Sequence, residues 1–162
     1  MAVTSQAPAG AARSGARLVA LHAELQQVLD QWAAVLASAA DRGDPIRPAK
    51  NLLRTFLADE ILPHARAEER TLYRASRRDP QAALLVEALI REHRDLASQA
   101  GRLVAQVRPV AVAATAEAIS TLFASHVAKE NDLLLPALER SGGNLARLIA
   151  REHRLSDIRS AA

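Results

Sequence analysis

"HARAE" (His64 to Glu68) and "HVAKE" (His126 to Glu130) repeat one pattern, a histidine followed four residues later by a glutamate, 62 residues apart. Residues at i and i+4 share a helix face, so on a helix each glutamate stands beside its histidine. Imidazole nitrogen and carboxylate oxygen side by side suit iron, manganese or zinc. The chain has five histidines in 162 residues and no cysteine. Disulfides, thiol catalysis and thiolate ligands are therefore excluded, and a metal here must be held by nitrogen and oxygen. His22 in "VALHAEL" and His93 in "IREHRDL" each stand alone. One H-x-x-x-E is often a surface helical pair, and one histidine on an apolar face is often a hydrogen-bonded core residue. The metal reading rests on all four histidines acting together.

The elements that must position them read as helices. Aromatic residues make up only 2% of the chain, and Ala, Leu, Arg and Glu dominate, which favours helix over strand. Breaks fall at "DRGDPIRP" (Asp41 to Pro48), "RRDP" (Arg77 to Pro80), "VRPV" (Val107 to Val110) and "SGGN" (Ser141 to Asn144). Asp79 and Pro80 offer a helix N-cap and first residue. The segments between carry apolar residues at three-to-four spacing, which predicts four long helices and a short fifth from about Leu145 to Ile158. Short connections force antiparallel neighbours, so the fold expected is all-α, an up-down-up-down four-helix bundle. Its expected layout is a disordered tail over 1–14, the bundle over 15–141 and a short C-terminal helix over 142–162. Pro63 and Pro136 interrupt the second and fourth helices and predict a local bend in each.

The chain also repeats itself. With His64 set on His126, Glu68 meets Glu130, Leu72 meets Leu134 and Ala75 meets Ala137. His22 then aligns with His93. Depth agrees: His22 is 21 residues before Gly43 and His64 is 21 after it. His64 and His93 lie 15 and 14 residues from Asp79, and His93 and His126 lie 16 and 17 from Pro109. At ~1.5 Å rise per residue, all four sit within a few ångströms of one level. Leu18, Val19 and Leu25 share the face of His22; Leu89, Ile90 and Leu96 that of His93; Leu122, Phe123 and Leu133 that of His126. Four imidazoles and two carboxylates thus converge on an apolar core, where unpaired carboxylates are costly and metal ions would neutralise them.

Other classes fit less well. The charge is +3, but 19 of the 21 basic residues are arginines spread over all the helices, and no aromatic platform accompanies them. A nucleic-acid partner is therefore not expected. No run reaches 18 apolar residues, so no membrane span is expected. The N-terminal stretch lacks the apolar segment of a secretory signal, and a cytoplasmic location is expected.

The order His, H-x-x-x-E, His, H-x-x-x-E on successive helices resembles the hemerythrin-like HHE cation-binding domain family. "HARAEERTLY" and "HVAKENDLLLPAL" are similar to that family's second and fourth helix signatures, and the resemblance covers about Arg17 to Arg140. It implies a four-helix bundle with a non-haem di-iron centre, two iron ions bridged by carboxylates and by oxo or hydroxo groups. By that likeness His22 and His64 serve one iron, His93 and His126 the other, and Glu68 and Glu130 bridge them. Two features depart from the oxygen-carrying hemerythrins. Leu89 and Ala97 stand one turn from His93, where those carriers have an extra histidine. Glu130 replaces an aspartate found one residue further on. Both fit the broader HHE group, and the resemblance then implies open metal positions for peroxide, O2 or NO. The expected activity is reaction with small oxidants, as in peroxide decomposition or redox defence. The alternatives are an O2 or NO sensing or binding module, and an iron donor for iron–sulfur cluster repair.

A few side chains carry two readings. Glu60, one turn before His64, could accept from an imidazole N–H or be a solvated helix residue. Glu69 falls off the ligand face by periodicity. Tyr73, about half a turn round the helix from His64, reads as packing. Phe56, Phe123 and Trp32 could line the site but read first as core. His153, in "AREHRLSDI", has no partner motif and reads as a surface or lid residue.

Overall fold

The computed structural model describes residues 7–141 and 147–150. Among the described residues the chain is helical, with no strand. It forms four rods. The first is α1 (Ala7–Arg42). The second joins α2 (Arg47–Phe56), α3 (Leu62–Glu68) and α4 (Arg74–Ser76) end to end through π-helical turns at Leu57–Ile61 and Glu69–Tyr73. The third is α5 (Pro80–Ala105). The fourth joins α6 (Pro109–Lys129) to α7 (Leu135–Arg140) through a π-helical turn at Glu130–Leu134. The first rod starts inside the stretch 1–14 expected to be a disordered tail, because Ala7, Ala9, Ala11 and Ala12 are strong helix formers and Pro8 is tolerated in a first turn. Residues 147–150 are helical; the rest of the expected C-terminal helix, and His153, lie outside the described residues.

The breaks follow local chemistry. Gly43 adopts φ 72°, the left-handed conformation that ends α1. The amide of Asp44 then bonds Ala39 O at 2.9 Å, satisfying a carbonyl of the last turn. At α5 the Asp79 side chain accepts from the Gln81 amide at 2.9 Å and Pro80 opens the helix, as its sequence position suggested. Pro63 and Pro136 each stand just after a π-helical turn. Proline removes one backbone bond and its ring crowds the preceding turn; the wider i→i+5 turn takes up that crowding. The chain continues without a break in either place.

Cross-rod bonds give the register. Gln26 Nε2 donates to Ser120 Oγ at 2.9 Å, and His22 Nδ1 lies 2.9 Å from Asn131 Oδ1, so numbers rise along α1 as they fall along the fourth rod. Lys50 Nζ reaches Val104 O at 2.9 Å, while Arg77 pairs with Glu87 at 2.7 Å, which sets the same opposition between the second and third rods.

Two apolar clusters fill the interior. One contains Leu25, Leu29, Leu53, Ile61, Leu96, Ile119 and Phe123. The other contains Leu18, Leu72, Tyr73, Leu89, Leu134 and Ile149. On every rod the histidine falls between them: His22 between Leu18 and Leu25, His64 between Ile61 and Leu72, His93 between Leu89 and Leu96, His126 between Phe123 and Leu134. The polar layer is thus sealed by apolar side chains above and below.

Pro109–Arg140 is long and apolar enough, by length and composition, to cross a membrane, although no span was expected. Its buried side chains include Val112, Ile119, Phe123, His126, Glu130 and Leu134.

Candidate metal centre

His22, His64, Glu68, His93, His126 and Glu130 are all buried, and all six meet in the layer between the two clusters. The histidines come in pairs. The rings of His22 and His64 are 5.2 Å apart, and those of His93 and His126 are 4.6 Å apart. Glu68 stands between the pairs. Its Oε1 is 3.2 Å from His22 Nε2 and 3.1 Å from His64 Nε2, while its Oε2 is 3.5 Å from His93 Nε2. Glu130 Oε2 faces His22 Nε2 and His126 Nε2, each at 3.6 Å. Two groups of donor atoms result, His22 with His64 and Glu68, and Glu68 with His93 and His126, each spanning less than 4.8 Å.

The outward nitrogens are engaged as well. His22 Nδ1 lies 2.9 Å from Asn131 Oδ1, His93 Nδ1 3.0 Å from Glu69 Oε1, and His126 Nδ1 3.0 Å from Glu92 Oε2. All three partner atoms only accept, so Nδ1 carries the proton and Nε2 turns a lone pair inward. Metal-binding imidazoles are oriented by this kind of outer contact.

Such an interior needs positive charge. Lone pairs of Nε2 face carboxylate oxygens, and the Nε2 atoms of His93 and His126 face each other at 3.0 Å. Buried Glu68 Oε2 accepts no hydrogen bond. Protonating His126 is a poor remedy: burial pushes it down to about 4, with the nearby Glu68 only partly offsetting it. Burial raises the Glu68 carboxyl, but the facing His64, followed by His22 and His93, outweighs it and holds Glu68 well below the usual carboxylate range. Carboxylate oxygens beside imidazole nitrogens are the donor set that divalent or trivalent cations satisfy. The residues present fit a metal.

Four side chains outside the sequence reading, or read differently by it, join the layer. The Tyr73 hydroxyl donates to Glu130 Oε1 at 2.5 Å and lies 3.3 and 3.2 Å from the Nε2 atoms of His93 and His126. Tyr73 was expected to pack on the far side of its helix. The π-helical turn Glu69–Tyr73 corrects that: one residue absorbed there sets Tyr73 back by about 100°, to about 80° from His64. Glu69, expected off the site, reaches His93 from the start of the same turn. Glu92 and Asn131 carried no motif. Their only signal was adjacency, Glu92 to His93 and Asn131 to Glu130. Glu60 is exposed, which favours its solvated reading. The ring of Phe123 lies 6.5 Å from that of His126, whereas Trp32 and Phe56 pack with the first apolar cluster. Leu89 is buried and Ala97 exposed, and neither adds a donor beside His93.

Comparison with curated proteins and with solved structures gives no match. The family model for the hemerythrin HHE cation binding domain matches residues 15–138, a stretch that holds every member of the buried His/Glu cluster. The chain belongs to the hemerythrin HHE cation-binding domain family.

Proposed function

We propose that this domain is an up-down-up-down antiparallel bundle that holds two iron ions and uses them on small oxidants, hydrogen peroxide first among them. His22 and His64 would hold one ion and His93 and His126 the other, with Glu68 common to both donor groups and Glu130 beside both pairs. The observation that carries the reading is the double donor group with one common carboxylate. Imidazole and carboxylate without thiolate suit iron, which supplies open coordination positions and reversible electron transfer when bound.

The chain supplies the rest. Asn131, Glu69 and Glu92 hold the rings in one orientation, so the donors are arranged before anything binds. Leu18, Leu89, Leu134 and Phe123 close the layer on both sides and limit entry to molecules the size of peroxide, O2 or NO. The Tyr73 hydroxyl is the one phenolic donor within the layer and holds its proton against Glu130. Burial and the charges of Glu68 and Glu130 push that phenol far above its ordinary value, so without a metal it is neutral.

The test is peroxide decay in iron-loaded protein, against Glu68→Ala and against free iron. Faster decay with the intact protein supports the oxidant reaction. Decay no faster than in either control removes it. A long-lived, reversible O2 or NO adduct without peroxide loss would put a binding module in its place.

A further inference from the structure

The Tyr73 hydroxyl, His93 Nε2 and His126 Nε2 form a nearly equilateral triangle with sides of 3.3, 3.2 and 3.0 Å. Donors bound at right angles to one metal, each at about 2.1 Å, lie about 3 Å apart. The triangle therefore has the dimensions of one face of a coordination shell. Hydrogen bonding does not account for it. A phenol has one proton, and Glu130 Oε1 takes it at 2.5 Å. The two Nε2 atoms, whose rings give their Nδ1 protons to Glu69 and Glu92, then face the phenol oxygen and each other with lone pairs.

We propose that Tyr73 is a further ligand of the metal held by His93 and His126, bound through its phenolate oxygen. This rests on the metal reading above and adds a residue to it. Binding exchanges the O–H bond for an O–metal bond, and the phenol proton passes to a base in solvent. A bound cation reverses the local electrostatics that otherwise keep the phenol neutral. The assignment also makes the two halves of the centre unequal. The His93–His126 half gains a third donor of its own, where Leu89 and Ala97 supply none.

Tyr73 is the only tyrosine in the chain, so any phenolate signal from the protein is its own. The experiment is iron loading of the full-length protein, oxidation to the ferric form, iron analysis, and visible absorption with resonance Raman spectra. The expected result is a phenolate-to-iron charge-transfer band with tyrosinate ring vibrations, abolished in Tyr73→Phe at unchanged helicity. Iron bound without that band overturns the assignment of Tyr73 and leaves the metal reading standing. A band that survives Tyr73→Phe overturns it equally. Protein that takes up no iron overturns both. The wild-type spectrum decides the matter even if the variant fails to fold.

Discussion

His126 Nδ1 lies 3.0 Å from Glu92 Oε2, and Lys129 Nζ holds the other oxygen of the same carboxylate at 2.5 Å. Burial alone would raise the Glu92 carboxyl, but the hydrogen bonds from Lys129 and His126 outweigh it and keep Glu92 below its ordinary value. The charged carboxylate fixes the His126 ring with Nε2 inward. Glu92→Ala is expected to weaken metal binding about 10- to 100-fold while leaving the fold intact. Competition with a chelator measures this. Unchanged affinity would mean that packing alone orients the ring.

Glu68 belongs to both donor groups, whereas His64 belongs to one. Glu68→Ala is therefore expected to lose metal from both, and His64→Ala chiefly from the His22 side. Iron analysis after gel filtration distinguishes the two. Equal loss in both variants would show that the two halves fill only together.

Acid should act on stability and metal content in the same direction. His126 has a folded value of about 4 against an ordinary 6.5, and Glu68 is held well below 4.5. In each case the folded state binds fewer protons than the unfolded one, so acid favours unfolding. The His126 contribution is complete above pH 6.5 and is lost as pH falls from there through about 4. The Glu68 contribution is lost only below 4.5. Protons also compete with metal for the same atoms. Denaturant midpoints are expected to be level above neutrality and to fall below pH 6.5, more steeply for metal-loaded than for metal-free protein. Equal acid sensitivity of the two forms would separate metal binding from these groups.

Leu29 is 1% exposed and lies in the apolar cluster between the His layer and the first turn. Leu29→Ala is expected to cost about 2–5 kcal/mol of stability with iron per chain unchanged. Leu84, at 82% exposure, is the contrast: Leu84→Ala is expected to shift stability by less than about 0.5 kcal/mol. Urea denaturation of both variants, with iron analysis, checks the pair. Loss of iron in Leu29→Ala would show that the layer depends on packing at a distance.

The six buried His and Glu residues were legible because the features that mark them are local. Spacing of four puts His64 with Glu68 and His126 with Glu130 on one helix face. Equal distances from the turns place His22, His64, His93 and His126 at one level, and the structure brings the rings together in the pairs His22–His64 and His93–His126. Asp79 and Pro80 announced the start of α5 through capping chemistry that involves only neighbours in sequence.

Tyr73, Glu69, Glu92 and Asn131 were decided elsewhere. Pro63 and Pro136 signalled a distortion, but not the widened turns beside them, and it is the turn at Glu69–Tyr73 that swings Tyr73 toward Glu130. A fixed period of 3.6 residues cannot register one absorbed residue, so every position beyond it is rotated by about 100° from where periodicity puts it. Glu92 and Asn131 each touch a histidine on another rod, 34 and 109 residues away in sequence. The amino-acid sequence by itself determined the helices, their turns and the level at which the donors meet, because these depend on spacing along one chain segment. Which nitrogen of each ring faces inward, and which phenol stands beside it, only the packing of rod against rod could decide, because the groups that settle it come from different helices.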